Sequence, residues 1–386
     1  MMRAEPLQES ANVDQTGRFD AGEVLREIVR PRLTGSDGAA EAASAIRTRL
    51  EAAGYDVEDQ TFTFNPWPGR FGITVIGVLY LVGTFAAAAF LYRNSPYVSI
   101  ALLLILLLVS TLFVYLARAS IGSLPWGRLN GANLYAAPVS GRPRYIVMAH
   151  RDSKSQPVPL AFRGPAIVLG GVAWLALLGG AILQTARPLP GPMVIVLGVA
   201  AALAGVILIF CWVDNHSPGA LDNASGVAAA IGIAIRERAA GDVAILITDA
   251  EELGLAGAQA AASAGLPPVF GVINLDGLDD HGTFYVFERF GTFRKTGLAP
   301  HMTAALLQEA DALGEPADRR DLPFGIVVDH IPMVRAGIPA LTLMRGSVQS
   351  LRRVHRPSDD LQHLRGDGVI RTIELVCGAL HRMRQQ

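Results

Sequence analysis

The chain has 386 residues and a mass of 41.0 kDa, which is enough for two or three domains. Charged residues make up only 17% of it, against about 25% in ordinary soluble domains, and hydrophobic residues make up 51%. The formal net charge is −1, and the sequence has no basic stripe with interleaved aromatic residues. Nucleic acid is therefore not expected as a partner.

Four long stretches without a single charged residue account for the apolar excess. They cover residues 71–92, 97–117, 165–183 and 193–213. A helix needs about 20 apolar residues to cross the hydrocarbon core of a membrane, and each stretch has about that length. Outside these stretches the charge density is close to that of soluble proteins. The sequence thus predicts a globular domain with four membrane-spanning helices, which excludes a purely soluble or disordered chain.

The four stretches are predicted to form two helical hairpins, because short loops at 93–96 and 184–192 join them in pairs. The rest of the chain must then lie on one side of the membrane. Close to the spans, that side carries six Arg or Lys residues, and the two short loops carry only Arg93 and Arg187. The positive-inside rule therefore predicts a cytoplasmic globular domain in a multi-pass membrane protein. The spans contain no ionisable residue, which favours an anchor over a transport pathway.

The globular domain is predicted in three pieces, residues 1–70, 118–164 and 214–386, separated by the hairpins 71–117 and 165–213. Before the first hairpin its patterns predict helices over 19–29 and 37–53 and a strand over 55–64, and between the hairpins they predict strands over 133–137 and 144–150. After the second hairpin they predict, in chain order, a helix over 222–238, a strand over 242–248, a helix over 253–264, strands over 269–276 and 283–287, a helix over 298–313, a strand over 340–344 and a helix over 368–384. This alternation predicts an α/β fold with a mixed, mostly parallel sheet covered by helices on both faces.

Histidine and carboxylate side chains stand at the carboxyl ends of the predicted strands or in neighbouring loops. They are His150, Asp152, Asp222, Glu251, Glu252, Asp276 and His355. Ligands of open α/β sheets bind at this edge. Crowded carboxylates repel one another unless a cation lies between them. Imidazole and carboxylate donors without thiolate suit zinc, with cobalt or manganese as alternatives, and a two-metal site would hold its ions about 3.5–4 Å apart.

Each of these residues also has an ordinary structural explanation. Asp222 alone is a good helix N-cap. Glu251 and Glu252 alone suit the solvated first turn of a helix. Asp276 alone suits a turn, and His355 in its Arg-rich segment suits an exposed surface. Their joint occurrence at successive strand ends favours a metal site.

The motifs resemble those of the co-catalytic zinc aminopeptidases, a family that includes the bacterial leucyl aminopeptidases and glutamate carboxypeptidase II. They are His150-x-Asp152, Asp222-Asn223-x-Ser225-Gly226, Glu251-Glu252-x-Gly254-Leu255, Asn274-x-Asp276 and His355. The segments 32–36, 329–332 and 337–340 are also similar to family patterns. The resemblance implies a zinc-exopeptidase-like fold into which the two hairpins are inserted.

The resemblance also implies the metal ligands. His150 and Asp276 would hold one Zn²⁺ ion, Glu252 and His355 would hold a second, and Asp222 would bridge the two.

Two further residues receive catalytic roles from the resemblance. Glu251 would be the general base that takes a proton from the attacking water and passes it to the leaving amine. Asp152 would orient His150 through the far ring nitrogen of the imidazole.

The spacing between Asp152 and Asp222 departs from the family, which keeps these motifs close, because the second hairpin lies between them. Few residues separate the end of the fourth span at Val213 from Asp222, so the site is expected near the membrane surface. The hairpin could be an anchor only, or it could form a wall of the substrate pocket.

The sequence thus predicts a membrane-anchored, zinc-dependent exopeptidase, first of all an aminopeptidase, with a peptide as substrate and the lipid bilayer as partner. Alternatives on the same scaffold are a carboxypeptidase, an amidohydrolase and a single-zinc glutaminyl cyclase. A catalytically inactive membrane receptor or scaffold and a transporter are alternatives from other classes, disfavoured by the complete ligand set and by the uncharged spans respectively.

Overall fold

The structure is a computed structural model that describes residues 19–119, 127–292, 294–323 and 325–385. The first eighteen residues of the predicted piece 1–70 and residues 120–126 of the piece 118–164 lie outside the described part of the chain.

One mixed sheet of eight strands forms the centre of the globular part. In chain order the strands are β1 (Tyr55–Phe64), β2 (Leu129–Pro138), β3 (Tyr145–His150), β4 (Val243–Thr248), β5 (Gly271–Leu278), β6 (Thr283–Arg289), β7 (Ala317–Asp321) and β8 (Ala340–Gly346). Their order across the sheet is β1-β2-β4-β3-β5-β8-β6-β7. The pairs β3–β4, β3–β5, β5–β8 and β6–β7 are parallel, and the other three are antiparallel. The predicted mixed, mostly parallel sheet is confirmed.

Helices cover both faces of this sheet. The helices of the globular part are α1 (Ala21–Ile28), α2 (Asp37–Ala52), α7 (Ser225–Glu237), α8 (Ala256–Ala264), α9 (Pro300–Leu313), α10 (His330–Arg335) and α11 (Asp367–Gln385). Along β3, Val147 packs into a cluster with α1, α2, α7, α9 and α11, and its neighbour Ile146 packs into a second cluster with α8 and α10. Alternate side chains of a strand point to opposite faces, so both faces of the sheet are buried.

Four long apolar helices form two hairpins that interrupt the globular fold. They are α3 (Trp67–Tyr92), α4 (Pro96–Ala119), α5 (Leu160–Gln184) and α6 (Gly191–Ile209). The first hairpin lies between β1 and β2, which pair antiparallel from Tyr55 opposite Pro138 to Phe64 opposite Leu129. The helix α3 packs against α4 and α6, and α5 packs against α4 and α6. Among the described helices these four are long and apolar enough to cross a membrane, with mean hydropathies between 2.1 and 2.7.

The structure departs from the sequence expectations at several boundaries. The helix expected from Asp222 begins at Ser225, because Asp222 (φ −115°, ψ 90°) and Asn223 (φ −138°, ψ 42°) have non-helical dihedral angles. The helix expected from 253 begins at 256, and the strand expected to end at 276 continues to 278. The fourth apolar helix ends at 209 instead of 213.

Two short elements were not predicted at all. The edge strand β7 has the sequence Ala-Asp-Arg-Arg-Asp, and its side chains are half-buried or exposed. It therefore lacks the alternating apolar pattern that marks a strand. The helix α10 has only six residues, including Pro332, and is too short to show a helical period.

Candidate metal centre

The predicted ligands come from neighbouring elements at one edge of the sheet. His150 is the last residue of β3, Glu252 lies in the loop after β4, and Asp276 lies near the end of β5. Because β4, β3 and β5 are parallel neighbours, their carboxyl ends meet at the same edge. The loop after β8 adds His355, and the turn before α7 adds Asp222. The register of β5 shifts between residues 275 and 278, at the position of Asp276.

His150, Asp222 and Asp276 form the first group of ligand atoms. The imidazole Nε2 of His150 lies 3.2 Å from Asp222 Oδ1 and 3.8 Å from Asp276 Oδ1. One ligand atom from each of the three residues lies within 4.8 Å of the others, close enough to hold one metal ion.

Asp222, Glu252 and His355 form the second group. His355 Nε2 lies 3.1 Å from Asp222 Oδ2 and 3.6 Å from Glu252 Oε1. These ligand atoms are also within 4.8 Å of one another. Asp222 therefore directs one carboxylate oxygen to each group, which is the arrangement that a bridging ligand requires.

The donor set fits divalent metal ions such as zinc. Within the described part of the chain, Glu252 Oε1 is buried and has no hydrogen-bond partner, although it faces the second group. Burial raises the pKa of Asp276, and the neighbouring carboxylate of Asp222 adds to this increase. Burial alone would also raise the pKa of Asp222, but its hydrogen bonds with His150 and His355 bring that pKa well below its usual range. Metal ions would satisfy the buried oxygen and neutralise the crowded carboxylates.

Asp152 holds the loop that carries the two glutamates. Its Oδ1 and Oδ2 accept hydrogen bonds of 3.1 Å from the backbone N–H groups of Glu251 and Glu252. The Nδ1 atom of His150 lies 3.1 Å from the backbone oxygen of Asp152 and 3.5 Å from its carboxylate Oδ1. The carboxylate is therefore engaged mainly with the glutamate loop, and the backbone oxygen is the nearer partner of the imidazole.

Glu251 is buried beside the first group without being one of its ligands. Burial raises the pKa of Glu251 well above its usual value, and the carboxylates of Glu252 and Asp329 raise it further, although the charge of His150 opposes them. A carboxylate with a raised pKa accepts a proton more readily than an ordinary carboxylate. Asp329, whose own pKa burial raises to about 7, accepts a hydrogen bond from Thr248.

Two residues without an assigned role in the sequence analysis support the ligands. The ammonium group of Lys154 lies 2.6 Å from Glu252 Oε2. Asp359 accepts hydrogen bonds of 2.7 and 3.0 Å from the backbone N–H groups of Leu221 and Asp222, which fixes the turn that carries Asp222. The sequence could have indicated both residues, because Lys154 lies two positions after Asp152 and Asp359 lies four positions after His355.

Arg32 joins the two chain segments on either side of the second hairpin. It is fully buried, and its guanidinium donates to the backbone oxygens of Arg151 (2.6 Å), Gly219 (2.8 Å) and Pro218. Gly219 has φ +61°, and a Cβ there would lie 2.6 Å from Ser153 Cβ and 3.0 Å from the guanidinium. The close approach of these segments thus requires glycine at this position.

Backbone strain is concentrated in the loops of the candidate centre. In the described part of the chain, positive φ values at non-glycine residues occur at Asn94, Ala250 (55°), Leu255 (61°) and His355 (63°). The last three flank or include predicted ligands. Strained conformations of this kind often accompany functional sites, where the surrounding contacts hold them in place.

The fold and part of the sequence are similar to those of co-catalytic zinc exopeptidases. Residues 193–380 match the sequence profile of peptidase family M28. The match covers just under half of the chain, and the resemblance drawn from the motifs is confirmed. The region contains Asp222, Glu251, Glu252, Asp276 and His355; His150 lies before it, on the other side of the second hairpin.

Solved structures with the same fold include two aminopeptidases and a glutaminyl cyclase. The aminopeptidase from Aneurinibacillus sp. strain AM-1 has a TM-score of 0.55 and 16% sequence identity, over 94% of this chain and 93% of that chain. The zinc aminopeptidase BSAP from Bacillus subtilis has a TM-score of 0.54 and 14% identity, over 94% of both chains. The glutaminyl cyclase from Porphyromonas gingivalis has a TM-score of 0.54 and 16% identity, over 94% of this chain and 97% of that chain. A sequence comparison with curated proteins found no match.

Proposed function

We propose that this chain is a membrane-anchored, zinc-dependent exopeptidase that removes N-terminal residues from peptides. The observation that carries the proposal is the position of Asp222, whose two oxygens lie 3.2 and 3.1 Å from the Nε2 atoms of His150 and His355. A carboxylate shared in this way between two sets of histidine and carboxylate donors is suited to a pair of metal ions.

Five residues would hold the metal ions. His150 and Asp276 would bind one ion, Glu252 and His355 would bind the second, and Asp222 would contact both. Bound divalent ions polarise a peptide carbonyl group and make a water molecule more acidic.

Glu251 would transfer the proton in the reaction. Its carboxylate removes a proton from water while the water oxygen bonds to the carbonyl carbon. The same proton then moves to the amine nitrogen as the carbon–nitrogen bond breaks, which leaves a free amino acid and a shortened peptide. The burial that raises the pKa of Glu251 suits both steps. The two backbone hydrogen bonds to Asp152 keep Glu251 and Glu252 in a fixed relation.

The four apolar helices would anchor the catalytic domain in the membrane, with that domain on the cytoplasmic side. Their length and composition support the anchor. The excess of Arg and Lys on the globular side of the predicted spans supports the orientation.

Glutaminyl cyclisation is the second candidate function, because a glutaminyl cyclase has this fold with a similar TM-score. The two reactions leave different products. An aminopeptidase consumes water and shortens the peptide by one residue, but a cyclase releases ammonia from an N-terminal glutamine and leaves the number of residues unchanged.

The proposal can be tested with the purified full chain and two peptides that differ only in an N-terminal leucine or glutamine. Mass spectrometry would follow the products with and without a metal chelator. We expect metal-dependent removal of the N-terminal leucine. Loss of ammonia from the glutamine peptide without any shortening would support the cyclase instead, and products insensitive to the chelator would contradict both candidates.

A further inference from the structure

The first turn of the helix α3 touches the loop that carries the two glutamates. A Cβ on Gly69 would lie 2.4 Å from the carbonyl oxygen of Leu253, so the two backbones are in direct contact. Leu253 follows Glu252 directly in the chain. The start of the first apolar helix is therefore within a few ångströms of the candidate catalytic loop.

The ends of the second hairpin are fastened to the same site. Ser155 and Asp214 pair through backbone hydrogen bonds of 2.7 and 2.9 Å, just outside α5 and α6. Gln156 donates its backbone N–H to the backbone oxygen of His355 (3.0 Å) and its side-chain amide to Cys211 (3.1 Å). The loop of one predicted ligand is thus hydrogen-bonded to the segment that enters the hairpin, and that segment is hydrogen-bonded to the one that leaves it.

Aromatic side chains mark the level of the membrane surface at this end of the helices. Trp67 packs against Phe71 and Phe113 with ring centroids 6.3 and 6.2 Å apart, and Phe210 packs against Trp212 at 5.8 Å. At the opposite ends of α3 and α4, two tyrosines are exposed, Tyr92 and Tyr97. Trp and Tyr residues concentrate at both membrane–water interfaces. If the helices span, the interface passes within about one helical turn, 5.4 Å, of Gly69.

The rim of the globular part next to these helices is also apolar. Phe162, in the first turn of α5, is 64% exposed, and this helix contacts the short turn at 350–352, in which Leu351 is 50% exposed. Val348, just before that turn, is 74% exposed. Exposed apolar side chains that cluster beside an apolar helix bundle suit contact with lipid or with the apolar part of a substrate.

From these contacts we propose that the site acts on peptides that are themselves held in the membrane by an apolar segment, and that it trims their N-terminal tails close to the bilayer surface. This inference rests on the proposed exopeptidase function. The N-terminal residue would lie at the metal centre, and the rest of the peptide would run a short way back to the lipid.

The distances set the length of the tail that must remain. Leu253 contacts the helix start, and Glu251 is two residues away, at most about 7 Å along an extended chain. Adding one helical turn to the interface gives a separation of roughly 12 Å, which about four extended residues can cross. Trimming should therefore stop when about three to five residues remain outside the apolar segment. A site far above the membrane would leave a much longer stub.

The test uses the full chain reconstituted in phosphatidylcholine vesicles together with a peptide that has about 20 apolar anchor residues and an N-terminal tail of about 15 residues, in which leucine and alanine alternate with serine and asparagine so that the tail stays in water. A soluble peptide with the same tail and no anchor is the matched substrate, and Glu251→Gln protein is the control for trimming by contaminants. Mass spectrometry would measure the length of the stub left on the anchor and the rate of leucine and alanine release.

We expect the anchored peptide to be trimmed to a stub of about three to five residues, and at least about tenfold faster than the soluble peptide at equal total concentration, because membrane binding raises its effective concentration. A stub of about ten residues or more, or a preference for the soluble peptide, would overturn the inference while leaving the exopeptidase function intact. If neither peptide is trimmed, the proposed function itself fails, and this inference fails with it.

Discussion

The ammonium group of Lys154 lies 2.6 Å from Oε2 of Glu252, and the other carboxylate oxygen of Glu252 is buried and has no hydrogen-bond partner among the residues that the structure describes. Burial by itself lowers the pKa of Lys154, but the carboxylates of Glu252 and Glu251 more than offset this effect, so the side chain remains charged. Glu252 thus offers one oxygen to the lysine and one to the second group of ligands. Among the described residues, only the second group has a carboxylate paired with a lysine or arginine, so the two groups of the candidate centre are unequal in charge.

Replacing this lysine should strengthen metal binding in the second group. In Lys154→Met the positive charge that repels a cation is lost, and we expect the affinity of the more weakly bound zinc ion to rise by about tenfold. Competition with a fluorescent chelator measures this affinity without reference to activity. Lys154→Arg keeps the charge and should behave like the unmodified protein. Weaker zinc binding in Lys154→Met would show that the lysine only positions Glu252.

Single substitutions should separate the two metal positions. His355→Ala should lower the bound zinc by about one ion and Asp276→Ala by about one other ion, because each removes a ligand from one group only. Asp222→Ala should lose both, since Asp222 belongs to both groups. Elemental analysis of the purified variants gives the stoichiometry. Retention of full zinc content in Asp222→Ala would contradict the bridging role.

Arg32 should contribute to stability far more than an exposed arginine does. Arg32→Met leaves the backbone oxygens of Arg151, Pro218 and Gly219 without their donor in a buried position, and we expect a loss on the order of 3 kcal/mol in the free energy of unfolding. Arg26→Met is the matched control, because that side chain is 64% exposed and its ion pair is 4.0 Å long. Thermal unfolding in detergent compares them. Equal unfolding temperatures for the two variants would contradict this stabilising role of Arg32.

The predicted orientation can be tested separately from the enzyme activity. A reporter fused after Gln386 should behave as cytoplasmic, and a reporter inserted at Asn94 should behave as external, because the charge bias predicts a globular domain inside the cell. The inverse pattern at both positions would place the catalytic domain outside. If both reporters lay on the same side of the membrane, the two-hairpin arrangement would be contradicted.

The regular elements were the part that the sequence could predict best. The strand expected over residues 55–64 has those bounds as β1, because its side chains alternate between the core and the surface. The long apolar stretches correspond to α3, α4, α5 and α6. A long uninterrupted run of apolar residues can be identified in the sequence without knowing what it packs against. Errors were confined to the ends of helices and strands and to short elements with little periodicity.

The geometry of the centre depended on contacts that no local pattern reveals. Asp222 alone suited a helix N-cap, but the N-cap of α7 is Ala224. Hydrogen bonds from the backbone N–H groups of Leu221 and Asp222 to Asp359 hold Asp222 in the turn before that helix. Lys154 and Arg32 take their roles from partners far away in the chain. Residue types at strand ends indicated a metal site, and only the packing of the loops shows how the groups share one carboxylate.

The most direct test of the central claim compares zinc content and turnover of Glu251→Gln with those of the unmodified protein. Both proteins should bind the same amount of zinc, because Glu251 belongs to neither ligand group. Turnover of the peptide with an N-terminal leucine should fall by about 10²–10⁴-fold, since the variant lacks a group that can accept the proton. Glu58→Gln, an exposed position on β1, is the control and should retain full activity. Full activity of Glu251→Gln with normal zinc content would contradict the account.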